Sequence, residues 1–187
     1  MTNMTYTTNS KQHGGYRNLK SYQTTTIIYD LTVQFTSRYV EKYSRTRDQM
    51  VQAARSGRQN IAEGSQASAT SKKTEIKLVG VARASLEELL IDYEDYLRQH
   101  NLPLWPKDHK KSQAIRTLGY MSNRSYTTYK SYLNSGETAA NCAICLIHQA
   151  NYLLDHLLSS LEEAFVKTGG YTENLFKRRL QRRNYDK

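Results

Sequence analysis

Two stretches of the chain carry a clear helical alternation of apolar and polar positions. In the first, Ile76, Val79, Arg83, Leu86, Leu90, Tyr93 and Leu97 recur at spacings of three and four, the seam of a helix packed against others. Leu78, Ala82, Leu89 and Tyr96 widen that stripe. Ser71 is placed to cap the helix, with Glu75 in its first turn. From Ser71 to about His100 the rod would be ~45 Å long at ~1.5 Å per residue. In the second stretch Ala143, Ile147, Ala150, Leu154, Leu157, Leu161 and Ala164 trace the seam. Ile144, Leu146, Leu153, Leu158 and Phe165 make it apolar nearly all round, more than one intramolecular core requires, so an oligomer interface is expected there. Gly169-Gly170 ends it.

Two weaker patterns complete the set. Ile28, Leu31, Phe35, Tyr39 and Tyr43 predict a first helix over about Thr24 to Tyr43, with a bend at Ser44 to Arg47. Asp48 is then placed to cap a second helix in which Ala53, Ala54, Gly57, Ile61 and Gly64 recur. Gly57 costs about 1 kcal/mol against Ala inside a helix, and close backbone packing is the compensation expected. Gly64 is read as a left-handed helix end. Leu102-Pro103-Leu104-Trp105-Pro106 must cross without helix, because each Pro pushes its predecessor out of helical conformation. Ile115, Leu118 and Met121 then suggest a short helix. The chain therefore reads as all-α: a polar, disordered tail over 1–22, a helical domain over 23–168 with a long connection at 101–135, and a suffix over 169–187. In the suffix Leu175, Phe176 and Leu180 are placed to dock a short helix.

Charge changes the picture. The 187 residues carry a formal net charge of +10. Arg38 to Arg83 holds ten bases against four acids, and Ala84 to His100 one base against five. The long helix is thus basic at its start and acidic at Glu87, Glu88, Asp92, Glu94 and Asp95, opposite to the preference of the helix dipole. Such polarity suits a basic end facing an anion or head-to-tail contact between copies; a solvated charged face is the plainer alternative. Arg83, on the apolar seam, needs a partner that Glu87 can supply. It either points into an interface or pore, or snorkels past the seam edge. Tyr120, Tyr126, Tyr129 and Tyr132 are interleaved with bases in the long connection, where they either stack on unpaired nucleotides or pack across the bundle end.

Reaction chemistry is sparse. Cys142 and Cys145 sit on adjacent helical turns, with His148 one turn on, but zinc ligands come from separated elements and no second cluster exists. No cofactor or metal is expected. Glu63, beside Asn60, and His148 are the best candidates for catalysis, and capping or an interhelical hydrogen bond is the stronger reading of the Asn60–Glu63 pair. No apolar run is long enough for a membrane span, and the polar N-terminus lacks a signal-peptide core, so a reducing cytoplasm is expected.

Asn60-Ile61-Ala62-Glu63-Gly64, Ser71-Lys72-Lys73 and Ala84-Ser85-Leu86-Glu87-Glu88-Leu89 resemble the four-helix-bundle proteins encoded in ribosomal-RNA intervening sequences, a family that includes the accessory protein of diversity-generating retroelements. The likeness covers about 30–167, interrupted near 101–135, and Gly169-Gly170-Tyr171-Thr172-Glu173 resembles a C-terminal suffix of one branch. It implies an antiparallel up-and-down four-helix bundle, the long connection lying between the third and fourth helices. It also implies a homo-oligomer, commonly a pentameric ring, and binding of nucleic acid or, in the retroelement branch, of a reverse transcriptase. Where the family carries paired arginines this chain has Val51 and Gln52, and Arg55 and Arg58 carry the charge. The expected function is non-enzymatic, sequence-tolerant binding of RNA or DNA. Phosphate contacts would come from Arg45, Arg47, Arg55, Arg58, Lys72, Lys73, Lys77 and Arg83. Secondary contacts would come from Lys177, Arg178, Arg179, Arg182 and Arg183. The alternative is a scaffold for a reverse transcriptase.

Overall fold

A computed structural model describes residues 15–185. Six helices account for most of them: α1 (Lys20–Tyr39), α2 (Arg45–Ala67), α3 (Lys72–Gln99), α4 (Lys110–Leu118), α5 (Gly136–Thr168) and α6 (Tyr171–Tyr185). Two 3-10 segments, Gly15–Asn18 and Tyr126–Asn134, add to them. The described residues contain no strand.

Four long helices share one core. α2 packs on α3 and α1, and α5 packs on α3 and α1. Their order along each other can be read from single contacts. Gly64 faces Glu75 and Leu78, while Gly57 faces Ala82 and Leu86. Lys72 reaches Thr168, Arg83 reaches Asp155, and Asn151 reaches Glu87. Ile28, Phe35, Ile61, Leu86, Tyr93, Ile147 and Leu154 are among the side chains buried where these helices meet. The Tyr93 hydroxyl donates to Thr32 Oγ1 at 2.9 Å, and burial raises its pKa.

The seam predicted for α3 is buried from Val79 to Leu97 except at Arg83. Ser71 is the N-cap, accepting from the Thr74 amide at 3.1 Å. Close packing of α2 is also as expected. A Cβ on Gly57 would lie 2.9 Å from Leu86 Cδ2, and one on Gly64 would lie 3.3 Å from the Glu75 carbonyl oxygen. Gly64 does not end the helix: α2 runs on to Ala67, and the residue is there for close approach to α3. Nor does Asp48 cap α2; the helix begins earlier, with Ser44 accepting from the Thr46 amide.

The first helix is displaced toward the N-terminus relative to expectation. It spans Lys20–Tyr39, and Tyr43 is fully outside the core. The threonines explain the earlier start. Thr24, Thr25, Thr26, Thr32 and Thr36 return their hydroxyls to carbonyls three or four residues back, so their side chains can be buried in a helix without orphaned oxygen. Of the expected tail 1–22, residues 1–14 lie outside the described residues, and Gly15–Asn18 and the start of α1 are helical.

The long connection is a third side of the core. Trp105 is buried, with its amide donating to Asn141 Oδ1 at 2.7 Å and its Nε1 to Glu137 Oε1 at 2.9 Å. Asn141 Nδ2 in turn donates to the Pro103 carbonyl at 2.9 Å. Ile115 on α4 and Tyr129 and Leu133 on the second 3-10 segment are buried, and both elements pack on α5. The tyrosine-rich connection thus packs across the bundle: only Tyr120 of its four interleaved tyrosines is exposed.

Candidate nucleic-acid interface

The eight cations expected to form one surface are distributed over several. On α2, Arg47, Arg55 and Arg58 fall on one stripe, because separations of eight and three return to the same helical face. Arg58 is turned to α1: its guanidinium lies 4.4 Å from the centroid of the Tyr29 ring. The neighbouring Asp30 carboxyl is raised by burial, which the charge of Arg58 only partly opposes. Arg45 lies on the other side of α2. It lines an open cleft of about 810 Å³ between α2 and α3, together with Asp48, Ser56, Ser85, Glu88 and Asp92. Burial, then repulsion by Asp95 and Glu88, raises the Asp92 carboxyl.

On α3, Lys73 and Lys77 are exposed. Lys72 is turned to α5, where its Nζ donates to Thr168 Oγ1 at 2.7 Å. Arg83 is engaged: its Nε donates to Asp155 Oδ1 at 2.6 Å, and its Nη1 lies 3.5 Å from Glu87 Oε2. The hydrogen bond to Asp155 is the main reason its pKa is raised. Glu87 was legible from its position one turn on. Asp155, 72 residues away, was not.

The suffix forms a helix that stands clear of the core. Gly169 turns the chain at φ 68°, a conformation that costs glycine nothing. The Gly170 amide then donates to Glu173 Oε2 at 3.1 Å, and Asn174 Nδ2 donates to the Thr168 carbonyl at 2.9 Å. These bonds fix the direction in which α6 leaves. Lys177, Arg178, Arg179, Arg182 and Arg183 are all exposed, and so are Leu175, Phe176 and Leu180, which do not dock on the core. Arg178 meets Lys72 at a cleft of about 300 Å³ between the α2–α3 and α5–α6 turns, lined also by Ser68, Tyr171, Asn174 and Leu175. Sequence spacing gave no sign of this pairing across the molecule.

No protein-family model, curated protein or solved structure matches the chain.

The candidate catalytic groups are placed apart. Cys142 is buried, and its thiol is raised by burial; Cys145 is half-buried and raised for the same first reason. His148 is exposed. No trio of His, Cys, Asp or Glu poised for a metal occurs among the described residues. Asn60 neither caps a helix nor bonds across to another; its hydrogen bonds stay within α2. Its Nδ2 donates to the Ser56 carbonyl and to Ser56 Oγ, which lies 2.9 Å from Ser85 Oγ across the α2–α3 interface. Glu63 is exposed. Among the described residues no helix is long and apolar enough to cross a membrane.

Proposed function

We propose that this is a non-enzymatic, cytoplasmic nucleic-acid-binding protein whose four long helices form an antiparallel up-and-down bundle, and that it works as a homo-oligomer. One observation carries the reading: the chain presents cations that its own acids do not neutralise. Among the described residues ion pairs engage only Arg83, Arg98 and Lys167 of the bases. Arg47, Arg55, Lys73, Lys77 and the bases of α6 have no such partner. A polyanion whose counterions are released on contact is the natural complement to such charge, and it needs no sequence-specific geometry. The bundle topology is supported by the order of contacts between α2 and α3 and between α3 and α5. The oligomer is supported by the distal half of α5, where Leu157, Leu158, Leu161 and Phe165 are only half-buried and Val166 is exposed. In an oligomer, the separate cationic faces of one subunit would be brought beside those of its neighbours. The family resemblance points to a pentameric ring.

Titration of fluorescently labelled single- and double-stranded RNA and DNA at two salt concentrations tests this. Affinity is expected to fall steeply with salt, by a slope of about 0.7–0.9 per phosphate contact in a plot of logarithms. No binding at low salt rejects the proposal. Light-scattering mass reports the number of subunits.

A second reading, a scaffold for the reverse transcriptase of a diversity-generating retroelement, is favoured by the outer face of α3. Val81 and Ile91 are exposed there beside the acids Glu88 and Glu94. Replacing both by Asp should abolish capture of the enzyme while leaving nucleic-acid affinity intact; unchanged capture removes that face from consideration.

A further inference from the structure

We propose that the cleft between the α2–α3 turn and the α5–α6 turn holds one unpaired nucleotide of a single-stranded nucleic acid, with its phosphate at Lys72 and Arg178 and its base against Tyr171. This rests on the nucleic-acid reading above and adds the strandedness of the ligand and the place where a base is held.

The cleft has the size and the lining for it. At about 300 Å³ it is at the small end of ligand clefts, which run to about 1,000 Å³. Tyr171 supplies a ring face and Leu175 an apolar wall, while Lys72 and Arg178 supply positive charge. Lys72 spends its described hydrogen bond on a neutral hydroxyl, that of Thr168, and makes no ion pair among the described residues, although the half-buried Glu75 carboxylate attracts it. Asn174 uses its amide nitrogen on the Thr168 carbonyl and keeps Oδ1 as an acceptor for a base edge.

Beyond the cleft, α6 continues the track. Arg178 and Arg182, and likewise Arg179 and Arg183, are one turn apart on an exposed helix, so each pair offers cations about 6 Å apart along its axis. Phe176 adds a second exposed ring. Rings of this kind stack on any base, but only on a base that is not already stacked in a duplex. A lipid surface fits less well. An interfacial helix needs its apolar side chains on one face and its charges on the other. Here Lys177, Arg178 and Arg179 take successive directions about 100° apart, and Arg179 falls between Leu175 and Phe176 around the helix.

The test uses the full chain with end-labelled short oligouridine and oligothymidine, each alone and annealed to its complement. Tyr171→Ala is expected to weaken single-strand binding roughly five- to hundred-fold, while Tyr171→Phe, which keeps the ring, stays near wild type. Lys72→Ala and Arg178→Ala should each lower the salt slope by about 0.7. Duplex binding should be weaker and indifferent to Tyr171→Ala. The inference is overturned if Tyr171→Ala binds single strands as wild type does, or if duplex matches single strand in affinity. Binding that survives all cleft variants but is lost in Arg47→Ala/Arg55→Ala/Arg58→Ala overturns this inference alone and leaves the broader function standing. Absence of binding by the wild-type chain at low salt sinks both.

Discussion

The two halves of α5 both carry large apolar side chains and meet opposite fates. From Ala139 to Leu154 most side chains are buried, whichever way they point. From Asp155 to Thr168 none is; Leu157, Leu158 and Leu161 are half-covered and Val166 is open. The second half is less apolar, and the neighbours of the two halves also differ. The first half has α1 and α3 on two sides, and the connection, through Trp105, Ile115, Tyr129 and Leu133, on a third. The second half lies along the start of α3, as the Arg83–Asp155 and Lys72–Thr168 contacts mark, and has no third layer among the described residues. An apolar pattern all round a helix therefore has two distinct meanings in one element. In the first half it is satisfied within the chain. In the second it is the surface the proposed oligomer would cover.

The sharpest way to break this comparison is to truncate one side chain in each half. Ile147 is completely buried, and Ile147→Ala should cost about 2–5 kcal/mol through lost burial and the cavity left behind. Leu161→Ala should cost under about 1 kcal/mol in an isolated subunit, since much of that side chain is already wet. Urea unfolding at low and high protein concentration measures both. If the loss at Leu161 grows at higher protein concentration, a second copy covers the distal half. If it matches Ile147 even in dilute solution, the two halves do not differ as described.

A smaller effect tests what closes the first half. Asn141 is buried and binds three backbone groups: the Trp105 amide and the Pro103 and Glu137 carbonyls. Asn141→Ala would strand the Trp105 amide, at a cost of about 2 kcal/mol. Trp105 fluorescence should then shift to the red as the connection loosens. A variant with wild-type stability and an unmoved emission spectrum would show that the connection is held by its apolar contacts alone.

The same contrast separates what the sequence made legible from what it did not. The α3 seam, the Ser71 cap and the close packing of Gly57 were readable because each is local: a period, a hydroxyl at a helix start, a missing Cβ. The start of α1 was misplaced because threonine propensity says little about hydroxyls that bond back to their own helix. Gly64 was misread because a glycine that ends a helix and one that admits a neighbouring backbone look alike in one dimension. The surplus on the first half of α5 was assigned to an oligomer because, although the tyrosines of residues 101–135 offered packing across the bundle end, their spacing does not say which helix they cover. For the candidate interface the limit was sharper. Charge totals were visible, but which cations share a face depends on which helix each one turns to. Arg58 faces Tyr29, Lys72 faces Thr168, and Arg83 is taken by Asp155.

The smallest effect lies on α3, which carries one partly desolvated acid level with each half of α5. Glu75, near the distal half, is raised by burial, but the charge of Lys72 opposes the shift. Asp92, level with the buried half, is raised by burial and further by Asp95 and Glu88. In both cases the folded state holds its proton more tightly than the unfolded chain does. The native form then binds more protons between the two pKa values, so stability falls as pH rises through that window and the full penalty stands at neutral pH. Asp92→Asn should therefore stabilise the chain at neutral pH. The expected gain is about 0.5 kcal/mol, the scale of like-charge pairs one helical turn apart, since the group is partly exposed and screened. The gain should vanish below the ordinary aspartate range, where the wild-type carboxyl is neutral as well. Glu75→Gln should yield less, because it also removes an attraction to Lys72. Melting temperatures of both variants at neutral and acid pH decide the matter. An Asp92→Asn advantage that persists unchanged in acid would mean that the acid face of α3 is not repelling itself, and that its gain comes from packing.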